Sequence, residues 1–520
     1  MRIKNPILPG FNPDPSILRV EDTFYIATST FEYFPGVNIY ESKDLANWQL
    51  VCRPCDDTSK LDMRGMLPST GVWAPCLSYN PRLKKYFVVY SNQHTWRPNP
   101  FTDYNNYIIV ADDIRGPWSK PTYVNSSGFD ASLFHDDNGK VYYMNMEWDH
   151  RQLGPKIFSG ILMGEIDPNT LVLKEPLRKI FLGTELGVVE APHIFKKDNY
   201  YYLVTAEGGT DLPHAVTIAR SKCIYGPYEL HPYKQILTAY KTDCYLQKAG
   251  HGSFCDDQLG NWYLAHLCSR PLDNGRCILG RETAIQNIIW EDGWPYIIGK
   301  GTKPFDYFDT PFENEQDTQK EFIYDFKDLS FLTDLQTIRI PFDNEHYRLV
   351  DGGIAITGKD GIYSIIDQSA LLRRQTDFAF EATTALTFKP TYFKHMAGLL
   401  YRYDEFNQFY LYMSYDEKLK SNVINLFKVD RAAYEFIKRD IPVKEDTIYF
   451  KVVVNKKEGQ FFYSTNGKDY IEVGSKQDVS ILSDDYSYGF TGAFVGIACQ
   501  DLSEHKKTAL FHSFTYKVIQ

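Results

Sequence analysis

Five stretches in the N-terminal part of the chain repeat one pattern of hydrophobic and polar positions. Each pairs a short apolar run with an aromatic-rich run such as 86–90 or 201–205, and a polar turn separates the two runs. The turn at 136–139, Asp-Asp-Asn-Gly, is typical of a hairpin between antiparallel strands. The aligned residues that open the five stretches are Asp14, Ala74, Asp130, Ala191 and His251, with separations of 60, 56, 61 and 60 residues.

Several repeats continue with a third strand and with a fourth that is marked by Trp or Tyr. The marks include Trp48, Trp118 and Tyr228, and the last two follow a Gly-Pro pair. Four strands that recur at a fixed period of tens of residues are the signature of a β-propeller. We therefore predict a five-bladed β-propeller over residues 1–312, because a β-sandwich with accidental internal similarity would not keep so even a spacing.

The pattern changes after residue 312. Residues 313–319 are wholly polar and are interpreted as a linker. Longer strands follow, such as 449–454 and 460–464, and Thr-Asn-Gly-Lys after the second of these indicates a hairpin. We predict that residues 318–520 form an antiparallel β-sandwich, so the whole chain belongs to the all-β class.

Composition and charge exclude several classes of partner. The chain of 520 residues has 56 Lys and Arg against 66 Asp and Glu, so its formal net charge is −10, which argues against nucleic acid as a partner. No run approaches the about 18 apolar residues of a membrane span, and the N-terminus has no signal-like apolar core. We therefore expect no membrane partner and a cytoplasmic location, with the nine scattered cysteines reduced.

Acidic residues recur at the aligned positions of the repeats. If the first strand of each blade lines the central channel, equivalent positions of all blades converge on one axis. Asp14 and Asp130 stand at the aligned position, and Glu190 lies one residue before it. Trp73 likewise precedes that position in the second repeat, and His251 occupies it in the fifth. One acid at a strand start is often a turn cap, but three in near register beside a tryptophan favour a catalytic site.

Two carboxyl groups that face each other across a pocket are what glycoside hydrolysis requires. One protonates the departing oxygen, and the other attacks the anomeric carbon or activates water. A third acid nearby raises the pKa of the proton donor by like-charge repulsion. Phe31 and Trp73 offer flat faces for the apolar side of a pyranose, although packing in the core is the alternative for both.

At these residues the chain closely resembles the β-xylosidases of glycoside hydrolase family 43, from residue 5 to the C-terminus. Asp14 lies in Asn-Pro-Asp-Pro-Ser, which is similar to the N-terminal signature of that family, where the Asp is the general base. Asp130 in Gly-Phe-Asp-Ala-Ser and Glu190 in Val-Glu-Ala-Pro-His match the segments of the other two acids. The resemblance implies that Glu190 is the general acid and that Asp130 adjusts its pKa and orients the sugar.

The resemblance implies further contacts and an architecture. It makes Phe31 a ring that stacks on the sugar and Arg281, in Gly-Arg-Glu-Thr, a sugar-binding residue. The position matching His251 lies beneath the substrate in the family. The fold it implies is a five-bladed propeller followed by a concanavalin-like sandwich that caps the active site.

The expected function is that of an exo-acting, inverting glycoside hydrolase that releases D-xylose from the non-reducing end of β-1,4-xylooligosaccharides. Within the family the alternative is an α-L-arabinofuranosidase, or an enzyme with both activities, because the two sugars can present similar hydroxyl geometry. Outside it, the alternative is a carbohydrate-binding propeller without catalysis. The only partner expected is the oligosaccharide substrate, and a homo-oligomer is left open.

Exo action requires a closed pocket, and the resemblance implies that a loop of the sandwich supplies the wall. The segment 489–494, Gly-Phe-Thr-Gly-Ala-Phe, is the best candidate, since Gly allows a tight turn and Phe offers a face for a sugar. Phe494 is the predicted substrate-binding residue, and burial of Phe490 and Phe494 in the core is the alternative.

No cofactor or metal is expected. Some family members bring a metal ion near the histidine that matches His251, which leaves Ca²⁺ there as an alternative. One imidazole is a poor ligand set for Ca²⁺, which takes about six to eight oxygens.

Overall fold

The computed structural model describes residues 1–95, 100–313 and 319–519. Five four-stranded antiparallel sheets form the N-terminal part of the chain, and two larger sheets form the C-terminal part, so the predicted all-β fold of propeller and sandwich is confirmed. Residues 314–318, which make up most of the predicted linker and include the predicted start of the second domain, lie outside the described residues. In the described part of the chain, no helix is both long and apolar enough to cross a membrane.

Each blade is one sheet of four strands in sequence order from the channel outwards. A short N-terminal strand, β1 (Arg2–Lys4), precedes them. The first blade contains β2 (Ser16–Val20), β3 (Thr23–Thr28), β5 (Asn38–Ser42) and β6 (Gln49–Cys52). The second contains β7 (Gly71–Asn80), β8 (Lys85–Gln93), β9 (Tyr104–Ala111) and β10 (Thr122–Asn125), and the third β11 (Ser132–His135), β12 (Val141–Trp148), β13 (Phe158–Ile166) and β14 (Arg178–Phe181).

The remaining two blades complete the ring. The fourth contains β15 (Glu190–Lys197), β16 (Tyr200–Glu207), β17 (Ala215–Ser221) and β18 (Glu229–Thr238), and the fifth β19 (Gln247–Asp256), β20 (Trp262–Ser269), β21 (Glu282–Glu291) and β22 (Trp294–Ile297). Their central strands are rich in Val, Ile, Tyr and Phe, which favour pleated, half-buried surfaces. After the fifth blade, β23 (Tyr307–Asp309) pairs with β1, so both ends of the propeller chain meet.

Serine hydroxyl groups join neighbouring blades near the channel. Ser253 of the fifth blade accepts the backbone N–H of Ile17 in the first at 3.1 Å, and Ser16 of the first accepts that of Leu77 in the second at 3.0 Å. Ser132 of the third donates to the carbonyl of Pro192 in the fourth. Because polar backbone groups near the axis lie beyond the reach of their own sheet, these hydroxyls satisfy them where water is excluded.

The five aligned positions of the repeats share an unusual backbone conformation. Their φ angles all lie in the left-handed region, which few residues other than Gly adopt. The values are 58° for Asp14, 38° for Ala74, 55° for Asp130, 51° for Ala191 and 46° for His251. The strand pairing of β7, β15 and β19 is interrupted at the same point. A bulge in the innermost strand is therefore a repeated feature of the blade, and it redirects the side chains at the channel rim.

The C-terminal part is a sandwich of two antiparallel sheets. One sheet has the order β26 (Tyr347–Val350), β27 (Gly353–Thr357), β38 (Thr508–Val518), β29 (Ala379–Thr387), β34 (Thr447–Asn455), β35 (Glu458–Ser464) and β36 (Ile471–Asp478), and β24 (Glu321–Tyr324) also pairs with β38. The other has the order β33 (Ala433–Val443), β32 (Ser421–Asp430), β31 (Asn407–Asp416), β30 (His395–Asp404), β37 (Phe494–Asp501), β28 (Ser369–Arg374) and β25 (Leu335–Ile338). The described helices are short, with one α-helix, α1 (Asp484–Ser487), and 3-10 turns at Gly154–Ile157, Leu329–Thr333 and Val479–Ile481.

A strand of the propeller chain completes the second sheet of the sandwich. This strand, β4 (Tyr33–Phe34), pairs with β25 through Ile338 and Thr337. Beside it, Glu405 of the sandwich binds two arginines, Arg339 at 2.7 Å and Arg402 at 2.8 Å. All three side chains are buried, and Arg339 also donates to the carbonyl of Met66 in the propeller at 2.7 Å. The two domains thus share a sheet, and the buried ionic cluster of the sandwich is bonded to the propeller backbone through Arg339.

The contribution of the buried ionic cluster to the free energy of unfolding can be tested. In Glu405→Gln, two buried guanidinium groups lose their counter-charge, so we expect the free energy of unfolding to fall by about 3–5 kcal/mol. Chemical denaturation followed by tryptophan fluorescence measures the loss. Glu458→Gln is the matched control, because it removes an exposed pair with Lys476 and should change stability by less than about 1 kcal/mol. Equal losses in the two variants would contradict a special role for the buried cluster.

Candidate active site

A cavity of about 240 Å³ lies where the rim of the channel meets the sandwich. This volume is below the about 300–1,000 Å³ that is usual for sites of drug-sized ligands, so the cavity suits a small group such as a sugar ring. Seven of the eight predicted site residues line it, and Phe494 does not. The lining consists of Asp14, Phe31, Trp73, Phe129, Asp130, Phe158, Val188, Glu190, Gly209, Thr210, His251, Arg281 and Phe490.

The repeat geometry brings the three acids together by two different routes. Asp14 and Asp130 occupy the left-handed position itself, two residues before β2 and β11 begin. Glu190 is the first residue of β15 and directly precedes the left-handed Ala191. All three are buried, with exposed fractions of 5%, 7% and 6% for Asp14, Asp130 and Glu190. The three acids therefore lie together at one rim of the channel, as the repeat predicts.

Asp14 is held as a carboxylate. Its Oδ1 lies 3.1 Å from Nη1 of Arg281 and 3.6 Å from Nδ1 of His251, and its Oδ2 accepts the hydroxyl of Ser29 at 2.6 Å. Burial alone would raise the pKa of Asp14, but the charge of Arg281, the His251 ring and the Ser29 hydrogen bond together lower it below its usual range. Asp14 is therefore ionised and able to accept a proton.

Glu190 is in the opposite state. Burial, followed by the negative charge of Asp14, raises the pKa of Glu190 to about 8. Burial and the charges of Glu190 and Asp14 likewise raise the pKa of Asp130. Three carboxyl groups buried in one pocket cannot all ionise, so Asp14, which pairs with Arg281, carries the charge, and Asp130 and Glu190 form a pair in which the ionisation of one keeps the other protonated. Such a separation of protonation states assigns an acid and a base.

Aromatic rings form one wall of the cavity. The rings of Phe31 and Trp73 lie 5.5 Å apart between centroids, and Phe129 packs edge-on against Trp73 at 5.5 Å. Phe31 has a φ of 52° and exchanges backbone hydrogen bonds with Val72 of the second blade, which fixes the ring at the rim. This wall offers apolar faces to a ligand whose polar groups would meet the acids.

The sandwich contributes Phe490. Its carbonyl accepts Nε and Nη2 of Arg281 at 3.2 and 3.0 Å, and its N–H donates to the hydroxyl of Ser69 at 3.0 Å. Its ring lies 5.5 Å from that of Trp73. The predicted segment 489–494 thus does reach the cavity, and Arg281 links it to Asp14.

Phe494 is placed elsewhere, which corrects its assignment as a substrate-binding residue. It is fully buried, stacks on Tyr33 with centroids 3.7 Å apart and packs edge-on against Phe11. As the first residue of β37 it belongs to a paired strand, whereas Phe490 lies before the strand in an irregular segment. The alternative of core packing therefore holds for Phe494.

The surroundings of His251 do not fit Ca²⁺. The ring nitrogen of His251 lies near one carboxylate, that of Asp14, whose oxygens already accept Arg281 and Ser29. Burial lowers the pKa of His251. Since Ca²⁺ takes about six to eight oxygens, these described contacts do not supply its ligands.

Several lining residues escaped the sequence argument. Phe129 directly precedes Asp130, and this position beside an acid could have indicated that it lines the cavity. Gly209 and Thr210 follow the end of β16, where a Gly-Gly-Thr run in the sequence could have indicated a turn at the rim. Phe158 and Val188 carried no distinguishing pattern. Ser29 was also missed, because a serine between two threonines is inconspicuous until its partner is known.

Two family models match the chain. The model for glycosyl hydrolases family 43 matches residues 3–295, and the model for the β-xylosidase C-terminal concanavalin A-like domain matches residues 324–517.

Three relatives are similar over the full chain. Xylosidase/arabinosidase 43B of Humicola insolens is 42% identical, over 100% of this chain and 98% of its own length. The β-xylosidase of Bacillus subtilis (strain 168) is 42% identical, over 99% of this chain and 100% of its own. The crystal structure of xylan β-1,4-xylosidase from Bacillus halodurans C-125 has a TM-score of 0.95 at 43% identity, with 99% of this chain and 100% of that one covered.

The protonation states predict a bell-shaped dependence of kcat/KM on pH. The base limb of the profile should fall near pH 8, where Glu190 loses its proton, and the acid limb should lie below the ordinary range of Asp. Because ionisation of either Asp130 or Glu190 raises the pKa of the other, Asp130→Asn should move the base limb to lower pH. Steady-state rates across the pH range measure this shift. An unmoved base limb would show that Asp130 does not influence the pKa of Glu190.

The two phenylalanines of the capping segment should respond differently to truncation. Phe494→Ala removes a fully buried ring and should cost about 3–5 kcal/mol of stability. Phe490→Ala should leave the unfolding midpoint nearly unchanged and impair hydrolysis of xylobiose, because it removes a wall of the cavity. Thermal unfolding and steady-state kinetics on both variants decide the matter. A Phe490→Ala enzyme with wild-type xylobiose kinetics would show that the segment does not contact substrate.

Proposed function

Because the chain belongs to glycoside hydrolase family 43, we propose that it is an exo-acting, inverting β-xylosidase that releases D-xylose from the non-reducing end of β-1,4-xylooligosaccharides. The observation that carries this proposal is the opposite protonation of Asp14 and Glu190 in one small cavity. The full-length similarity to proteins named as β-xylosidases supports the choice of sugar.

The proposed reaction breaks the glycosidic bond, forms a bond from the anomeric carbon to a water oxygen, and includes two proton transfers. Glu190 gives its proton to the glycosidic oxygen as the bond from that oxygen to the anomeric carbon breaks. Asp14 takes a proton from a water molecule, whose oxygen bonds to the same carbon from the opposite face. The attack from the opposite face inverts the configuration, so β-linked substrate gives α-xylose. Asp130 stabilises the protonated state of Glu190 and orients the sugar.

The walls of the cavity support exo action. An open propeller channel would accept the middle of a polymer, but here Phe490 and the Arg281 contact close the rim. The remaining volume of about 240 Å³ accommodates a terminal sugar, not a continuing chain. Phe31 and Trp73 supply apolar faces for the ring, and Arg281 offers N–H donors to its hydroxyls.

An activity on α-L-arabinofuranosides is the second candidate. It is favoured by the relative from Humicola insolens, whose name joins xylosidase and arabinosidase. The same three acids would act on either sugar. Parallel assays with an aryl β-D-xyloside and an aryl α-L-arabinofuranoside measure the ratio of the two activities.

Proton NMR during xylobiose hydrolysis tests the reaction. We expect α-xylose as the first product, and initial β-xylose or no release of xylose would refute the proposal.

Glu190→Ala should lose most activity on xylobiose and much less on an aryl xyloside with an activated leaving group, which needs little protonation. Glu185→Gln is the matched control, since Glu185 is exposed in the same loop and pairs with Lys234. Its rates should equal those of the wild type.

A further inference from the structure

A buried lysine of the propeller faces two carboxylates of the sandwich. Lys248, in the innermost strand of the fifth blade, is 5% exposed, and Lys is rarely so buried unless it is paired. Its Nζ lies 2.5 Å from Oδ1 of Asp485 and 3.9 Å from Oδ2 of Asp484, which open α1. Asp211 approaches the same nitrogen at 3.7 Å from an exposed position. Lys248 thus neutralises a cluster of acids contributed by both domains.

Asp485 holds a second part of the propeller. Its Oδ2 accepts the backbone N–H of Cys277 at 2.7 Å. Cys277 begins a turn, closed by a hydrogen bond from Gly280 N–H to the Cys277 carbonyl at 3.0 Å, and Arg281 follows directly. One carboxylate therefore connects the strand that carries His251 with the turn that carries Arg281.

The chain from α1 leads straight to the cavity. Phe490 lies five residues after Asp485, and its two backbone groups are bound by Arg281 and Ser69. Between them, Gly489 packs so closely that an added Cβ would lie 2.4 Å from the Tyr403 hydroxyl and 2.6 Å from that of Ser69. The segment has no room to shift while these contacts hold, and its start is fixed by Lys248.

We infer that Lys248 is a positioning residue for catalysis, acting through Asp485 to hold the segment 484–490 against the propeller so that Phe490 and Arg281 face the sugar. This inference rests on the proposed xylosidase function. Without the ammonium group, the Asp485 carboxylate at the start of α1 loses its counter-charge and favours solvent, beside Asp484, whose pKa burial raises to about 7. The Phe490 carbonyl then ceases to restrain Arg281, and Arg281 in turn restrains Asp14 less.

Loss of the positioning has a signature that a purely structural role lacks. Lys248→Met keeps the length of the side chain and removes its charge. We expect its KM for xylobiose to rise by about tenfold or more, while kcat changes less, because the substrate must order the segment on binding. The acid limb of kcat/KM should move to higher pH, since Arg281 is the main charge that lowers the pKa of Asp14. The other groups facing Asp14 (His251, Ser29, His214, Asp130 and Glu190) are unchanged.

Asp478→Asn is the matched control. It removes another ion pair between the same domains, Arg276 with Asp478 at 3.3 Å, and leaves the hydrogen bond of Asp485 to Cys277 and its pair with Lys248 in place. Its KM and acid limb should equal those of the wild type. Asp485→Asn should reproduce the effects of Lys248→Met. A Lys248→Met enzyme that is only less thermostable, with wild-type KM and acid limb, would overturn the inference.

Hydrogen exchange provides a readout that does not depend on activity. The amides of Phe490 and Cys277 should exchange faster in Lys248→Met than in Asp478→Asn, because the segment that carries the Phe490 amide and the Asp485 acceptor is no longer held against the propeller. If the wild type fails to cleave xylobiose but these amides respond as expected, the function is wrong and the positioning is right. If the wild type cleaves xylobiose and the amides, KM and acid limb do not respond, the positioning is wrong.

Discussion

The contact on which the site depends is made by one guanidinium group. Arg281 binds the Asp14 carboxylate with Nη1 and the Phe490 carbonyl with Nε and Nη2, so its fixed fork joins the catalytic base of one domain to the backbone of the other. A point charge on a flexible stem could not set both distances at once. Arg281 is 3% exposed, and the acids around it make its burial favourable. Removal of this contact would affect charge, shape and closure of the cavity together.

The different protonation states of the acids follow from the position of the Arg281 charge. All three acids are buried in the same cavity, and burial by itself would raise every one of their pKa values. Arg281 and Ser29 act directly on Asp14, which ionises, and its ionisation then raises the pKa of Glu190. The protonated state of Glu190 therefore depends first on burial and then on the charge of Asp14. Their assignment does not require different residue types, only different neighbours.

The sequence was sufficient for the architecture and for the acids, because both depend on a repeat. Even spacing predicted the blades, and the aligned positions predicted that Asp14, Asp130 and Glu190 would meet. Phe494 was misassigned because the two phenylalanines of one short segment differ only in where β37 begins, and that boundary is set by pairing with distant strands. Lys248 gave no signal, since a lysine in a sequence is usually a solvated residue, and only the folded chain brings carboxylates to it.

The strand β4 and the ionic cluster around Glu405 also bear on how such enzymes can diversify. The propeller chain lends a strand to the sandwich, and Arg339 reaches back to the carbonyl of Met66. A recombination event or a designed chimera that exchanged the sandwich alone would leave an unpaired sheet edge on the sandwich and would leave the Met66 carbonyl of the propeller without its Arg339 donor. The heritable unit is therefore the pair of domains, and new substrate preferences are expected to arise by substitution within the capping segment, with the module itself kept in place.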